Sequence, residues 1–202
     1  MLRVVAGRHR GRRLAAPPGE TTRPTSDRVR QAVFDMLWHA PWAGREAVED
    51  VRVLDAFAGS GAMGLEALSR GASHASFLEQ DRVALAVLRQ NVSALGEEAR
   101  CSVLVGDVLR PRAAPTPCGL VFLDPPYGRE LVPKAVVALA AAGWIAPDAL
   151  LVAEVGREET LEVPGFAAVA EREHGAARVV FLRAASPAAG LAARPAQTAD
   201  AE

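Results

Sequence analysis

From residue 51 onward, short apolar runs alternate with longer stretches in which apolar residues recur every three or four positions. VRVLDAFA, SHASFLE, RCSVLVGD, LVFLD and ALLVAEV have the length and the β-branched or aromatic content of buried strands. Between them, residues 62–70, 82–95 and 129–142 carry helical spacing. Each of these helices is followed by a glycine (Gly71, Gly96, Gly143), the usual residue just past a helix C-terminus. Strand and helix in alternation predict a doubly wound, mostly parallel sheet. FAAVAERE and AARVVFLRA then follow closely and read as an antiparallel pair at one edge.

The pattern before residue 51 is different. LRVVAGRHRGRRLAAPPG has short β-type runs around Gly7 and Gly11, which predict a small hairpin studded with arginines. Pro17, Pro18 and Gly19 break the chain. TTRPTSDRVRQAVFDMLWH then predicts a helix. Thr25 or Ser26 serves as its N-cap and Asp27 sits favourably in its first turn. Its apolar stripe is Val29, Val33, Phe34, Met36 and Leu37, and Pro41 and Gly44 end it. The expected organisation is therefore a basic, RNA-binding extension over 1–45, an α/β domain over 46–183, and a disordered Ala/Pro-rich tail over 184–202.

Composition narrows the class. The chain has 202 residues, 50% of them hydrophobic, enough for one α/β domain with a core plus an appendage. No apolar run approaches the ~20 residues of a membrane span, and the N-terminal stretch lacks the apolar core of a signal peptide. Cys101 and Cys118 have no metal or redox spacing. The four histidines are scattered, His9 alone standing where it would touch phosphate, so no metal is expected. A cytoplasmic, monomeric protein is the natural expectation. The formal charge of −1 hides an asymmetry. Residues 1–30 hold eight arginines against Glu20 and Asp27, a net of +6, so the remaining 172 residues carry −7. A basic arm on an acidic body suits a polyanionic partner, and equally suits a solvated arm in an arginine-rich protein.

The chemistry concentrates where predicted strands end. DAFAGSGAMGLEAL places G-x-G-x-x-G at Gly59, Gly61 and Gly64 between a strand and a helix. Such a loop brings the backbone close to a ligand and presents free helix N–H groups. Alone it fits a dinucleotide as well as S-adenosylmethionine. Asp55, just before the loop, would repel a pyrophosphate but favours the sulfonium and ammonium groups of S-adenosylmethionine. Glu79 ends the next strand, where an acid can take both ribose hydroxyls. Asp107, after the third, could accept a hydrogen bond from an adenine amino group, although for this residue a plain loop role is the stronger reading.

LVFLDPPYG sets Asp124, Pro125, Pro126 and Tyr127 at a fourth strand tip. The prolines fix the backbone and contribute no competing N–H. Asp124 and the Pro125 carbonyl then form a rigid pair of acceptors that can hold an exocyclic amine in line with a methyl donor. Tyr127 can stack on the base, which must be unpaired or flipped to enter. The Pro117-Cys118 pair would suit cytosine chemistry, but it precedes the strand, at the end away from the crevice.

The chain resembles the RsmD-type 16S ribosomal RNA (guanine-N2)-methyltransferases up to about Arg183. RVVAGRHRGRRL, TRPTSDRVRQAVFDML, VLDAFAGSGAMGLEALSRGA, FLEQDRVALAVLRQNV and VFLDPPYG occur in that family's order and spacing, and RPTSDRVR is the most specific of them. The resemblance implies a Rossmann-like class I S-adenosylmethionine-dependent methyltransferase with a seven-stranded sheet and a small N-terminal extension of hairpin plus helix. It implies methylation of one guanine N2 in 16S ribosomal RNA, naked or within a partly assembled small subunit. It further implies that Asp55, Ala56, Phe57, Gly59 and Gly61 cradle the methionine part of the cofactor, Glu79 its ribose, and Asp107 and Val108 its adenine. Asp124 to Tyr127 would hold the base. Arg23, Thr25 and Arg28 would sit at the mouth, and Arg8, Arg10, Arg12 and Arg13 would bind phosphate. Site chemistry alone leaves adenine-N6 methylation of DNA or RNA open, because both bases offer a planar exocyclic amine. A non-catalytic RNA-binding protein of the same fold is the alternative from another class, and an NAD-dependent oxidoreductase is disfavoured by Asp55 and DPPY.

Overall fold

The computed structural model describes residues 2–18, 27–126 and 130–185. Apolar runs too short for helices fold as strands; those at the centre of the sheet are covered on both faces and those at its edges are partly exposed. They are β1 (Arg52–Asp55), β2 (His74–Glu79), β3 (Cys101–Val105), β4 (Cys118–Leu123), β5 (Ile145–Gly156), β6 (Phe166–His174) and β7 (Ala177–Ala184). The helices are α1 (Asp27–His39), α2 (Ala62–Ser69), α3 (Arg82–Leu95) and α4 (Leu131–Ala141). The sheet order is β3-β2-β1-β4-β5-β7-β6. β1 pairs parallel with β2 and β4, and β2–β3 and β4–β5 are also parallel. β7 runs antiparallel to both β5 and β6. The order reverses between β1 and β4, which makes the crevice above their carboxyl ends the natural ligand site.

Alternation along the strands sorts the core into two layers. Val53, Phe77, Phe122, Val152 and Phe181 pack with Phe34 and Leu37 of α1 and Leu65 of α2. Leu54, Leu78, Val121, Leu123 and Leu151 pack with Val132, Val136 and Leu139 of α4 on the other face. The Phe34 and Phe122 rings lie 5.6 Å apart.

Several element boundaries differ from the sequence pattern. β1 ends at Asp55 rather than running through Ala58, because the chain turns into the glycine loop there; the Ala56 N–H still reaches the Phe122 carbonyl at 3.0 Å. β5 begins at Ile145, well before ALLVAEV. Its register against β4 jumps between Cys118–Ile145 and Leu120–Leu150. The surplus residues include exposed Pro147 and Asp148, and a bulge is where a strand tolerates a proline. α4 begins at Leu131, after Glu130 in a left-handed conformation (φ 48°).

The N-terminal segment is a hairpin closed by hydrogen bonds between Val4 and Arg12, Gly11 and Val4, and Leu14 and Leu2, at 2.9, 2.9 and 3.0 Å. Leu2, Val4 and Leu14 enter the same core layer as Val33 and Phe34 of α1. A buried acid is central to docking the extension. Glu66 of α2, with no exposed surface, accepts the Val5 and Ala6 N–H groups at 2.7 and 2.9 Å and the Arg70 guanidinium at 2.8 Å. Arg30 of α1, equally buried, stands 3.5 Å from it and also binds Asp27 and the Arg3 carbonyl. Gly7 (φ 76°) lies so close to the Ser69 backbone that a Cβ there would overlap it.

Candidate active site

β-strand periodicity decides which strand-tip side chains share the crevice. Val53 and Phe77 face the α1–α3 side, so Asp55 and Glu79, two residues further along, do too. Phe122 places Asp124 on that side by the same step. Asp55, Glu79 and Asp124 therefore rise from adjacent strands β1, β2 and β4 on one face.

Asp55 is 4% exposed and accepts the Gly64 N–H at 3.0 Å. It thereby caps the first turn of α2 as well as facing the crevice. Burial pushes its carboxyl up to about 7; the Gly64 N–H pulls it back, and the negative charges of Asp124 and Glu79 push it further up. A positive group in the crevice would reverse that pressure. Glu79 takes the Gly59 N–H at 2.8 Å on one oxygen, and the Gln80 and Asp81 N–H groups, both at 2.8 Å, on the other. The acid thus clamps the glycine loop to β2. The loop closes with Gly61 donating to the Ala58 carbonyl, and Ala58 donating to Leu78 at 3.1 Å. Gly64 packs directly on the Phe77 ring, where a Cβ would collide, so the third glycine of the motif lets α2 lie flat on β2.

The remaining candidates divide by environment. Ala56 and Val108 are buried and Phe57 is half-buried beside the loop. Asp107 is exposed and accepts the Leu109 N–H at 2.9 Å, the local turn role its position after β3 invites. Pro125 is buried and Pro126 exposed. Tyr127, Arg23 and Thr25 lie outside the described residues. Arg28 is exposed on α1. Arg10 and Arg13 are exposed on the hairpin, whereas Arg12 binds the Ala94 carbonyl at the end of α3 and Arg8 pairs with Glu97 at 2.6 Å. His9 turns inward, its ring bonded to Glu97. Cys118 is buried at the far end of β4, and burial pushes its thiol up to about 11.

Two residues absent from the sequence reading belong to this site. Asn91 of α3 binds both the N–H and the carbonyl of Ala15, at 2.7 and 3.0 Å, and the carbonyl of Ser60 at 2.9 Å. It ties the extension to the glycine loop. Glu154 of β5 lines a narrow cleft with Asp124, Val33, Met63, Phe122 and Val179. Its signal was present in ALLVAEV, an acid one residue from the end of an apolar run, close to the pattern of VRVLD and LVFLD. A larger groove of about 580 Å³ lies at the other end of α2, but it mixes Arg8, Arg70 and Arg100 with Asp35 and Glu49. It carries no single charge and none of the strand-tip acids.

A family described as conserved hypothetical protein 95 matches residues 2–183. Ribosomal RNA small subunit methyltransferase D of Escherichia coli K12 is 39% identical over 154 residues, covering 76% of this chain and 74% of that protein. A Bacillus subtilis protein named putative rRNA methyltransferase YlbH is 35% identical over 164 residues, covering 79% and 85%. Among solved structures, an E. coli protein described as putative methyltransferase yhhF superposes with a TM-score of 0.77 at 34% identity, covering 91% of this chain and 97% of that one.

Proposed function

The chain belongs to the family of ribosomal RNA small subunit methyltransferase D, and from that premise we infer that it transfers a methyl group from S-adenosylmethionine to the exocyclic N2 amine of a guanine in 16S ribosomal RNA. The observation that carries this reading is the adjacency of two unlike sets of groups. Asp124 and the Pro125 carbonyl offer rigid acceptors at the tip of β4. One strand away, Asp55 is a buried carboxylate whose ionisation is opposed by its surroundings.

The residues present fit the cofactor. A negative crevice beneath a glycine loop opposes a pyrophosphate and favours a cation. S-adenosylmethionine, when bound, supplies an electrophilic methyl group on a positively charged sulfur. In this reading Asp55 and residues 56–61 hold its amino-acid end, Glu79 meets its ribose, and Asp107 and Val108 border its adenine. Asp124 and Pro125 grip both N2 protons. The amine is thereby turned so that its nitrogen lone pair, otherwise delocalised into the ring, points at the donor. As the new N–C bond forms and the bond from that carbon to sulfur breaks, leaving a neutral thioether, positive charge passes to nitrogen and the fixed acceptors stabilise it; one of the two original N2 protons is then lost to solvent. Tyr127 stacks on the base. Arg10, Arg13, Arg23 and Arg28, with Thr25, hold the surrounding phosphates, and Arg8 and Arg12 brace the hairpin that carries the first two.

The test uses small-subunit ribosomal RNA from cells lacking the protein, labelled donor and nucleoside analysis of the product. The wild type is expected to yield N2-methylguanosine. Asp124→Ala is expected to lower the rate about 10³-fold, in the range of losing one oriented transition-state contact, with cofactor affinity retained. N6-methyladenosine as the sole product would overturn the guanine assignment.

A further inference from the structure

Asp124 has a neighbour that the methyl-transfer reading does not use. The last paired residues of β4 and β5 are Phe122–Val152 and Leu123–Ala153. Asp124, the first residue past the end of β4, follows Leu123 as Glu154 follows Ala153, which carries the two acids to the same end of neighbouring strands. Phe122 and Val152 face the α1 side, so Asp124 and Glu154 do as well. Both line the same cleft, walled by Val33 of α1 and Met63 of α2. Glu154 is also held from behind, since β5 pairs with β7 at Glu154–Val179. Its backbone is fixed in the β5–β7 ladder rather than carried on a loop.

The cleft measures about 20 Å³, roughly the room for one water-sized group. That is too small for a base ring, so a base could present no more than its edge there. Both carboxylates line the cleft, and a carboxylate has room for several donors at once, so each can take an N–H from whatever enters. The Watson–Crick edge of guanine offers three N–H donors on adjacent atoms, two on N2 and one on N1. The corresponding edge of adenine offers the N6 amine beside a bare lone pair at N1. Set against a carboxylate, that lone pair repels it and offers no hydrogen bond in return.

We propose that Glu154 is the specificity-determining residue of this site: its carboxylate accepts the N1–H of guanine while Asp124 and Pro125 hold the N2 amine, and it rejects bases whose N1 is an acceptor. The proposal rests on the guanine-N2 reading and names the group that distinguishes guanine from adenine within it. It assigns the two acids separate duties. Asp124 acts on the reacting nitrogen, and Glu154 reads the neighbouring atom.

The discriminating substrate is 2-aminopurine, which keeps the N2 amine but has a lone pair at N1. Ribosomal RNA assembled by ligation would carry guanine or 2-aminopurine at the position that the wild type methylates. Wild type is expected to prefer guanine by about 100-fold or more in kcat/KM, as sites built around a substrate N–H do. In Glu154→Gln the side chain can donate as well as accept, so the preference is expected to shrink at least tenfold, with cofactor affinity unchanged. The intrinsic difference between the two amines cancels when the proteins are compared. An equal preference in wild type and Glu154→Gln would overturn the role of Glu154 while leaving guanine methylation intact. A wild type that methylates no guanine would instead remove the reading on which the proposal rests. Loss of cofactor binding in Glu154→Gln would mark the residue as part of the scaffold and would also count against it.

Discussion

Glu66 and Asp55 are both buried carboxylates on neighbouring elements, and their surroundings are opposite. Glu66 receives two guanidinium groups and two backbone N–H groups. Asp55 receives one N–H and faces two further acids, so its carboxyl is pushed up to about 7. The first acid is satisfied from within and welds the extension to α2. The second is left electrostatically incomplete in the free protein. A fold that places two arginines on one acid and none on the other, among the described residues, separates scaffold charge from site charge.

Removing the satisfied acid should have the largest effect on stability. Glu66→Ala removes one acidic partner from buried Arg30, which keeps Asp27, and strips Arg70 and the Val5 and Ala6 N–H groups of their acceptor; it is expected to cost about 3–5 kcal/mol, the usual loss when half of a buried pair is deleted. Denaturant titration measures it. A loss under about 1 kcal/mol would mean that Glu66 does not hold the extension.

Relieving the incomplete acid should act in the other direction. Asp55 keeps its proton in the folded state up to about 7, against 3.8 as its ordinary value. Its contribution is therefore fully present below about pH 4, and is lost as pH rises through about 7. Asp55→Asn, which retains an acceptor for Gly64, is expected to match the wild type near pH 4. It should exceed the wild type by up to about 4 kcal/mol at pH 8, since each tenfold gain in proton affinity on folding is worth about 1.36 kcal/mol. The same variant should bind S-adenosylmethionine more weakly at pH 8. Wild-type affinity should fall with acidity below pH 7, approaching tenfold per pH unit, while the variant stays flat. Parallel stability curves for the two proteins would show that the crowding of acids is not felt.

The smallest effect concerns the arginines. Arg30 is consumed inside the scaffold, whereas Arg10 and Arg13 are exposed. Replacing Arg10 and Arg13 with alanine should leave stability within about 0.5 kcal/mol. It should weaken RNA binding several-fold and flatten the slope of log affinity against log salt by about 1.4, for two contacts on single-stranded RNA. An unchanged slope would mean that the exposed arginines do not meet phosphate.

The arginine count illustrates where sequence reading stops. The +6 of residues 1–30 suggests a basic arm, yet Arg3, Arg8 and Arg30 are engaged with Asp27, Glu97 and Glu66. Counting charges along a chain cannot see partners that lie far away in sequence. His9 meets the same fate, drawn inward by Glu97 rather than left for phosphate.

By itself the sequence determined what repeats locally. Strand and helix periods, the glycine loop and the acids closing apolar runs are properties of a few consecutive residues, so Asp55, Glu79 and Asp124 could be placed at strand tips without coordinates. Tertiary structure alone decided which tips are neighbours. Strand order and register are non-local, and they set β4 between β1 and β5 and carry Glu154 to the side of Asp124. They also turned Glu66, an unremarked residue in a helix, into the anchor of the extension. Hydrogen bonds and Coulomb forces act over a few ångströms of space and are indifferent to distance along the chain, so only the folded arrangement could assign these acids their partners.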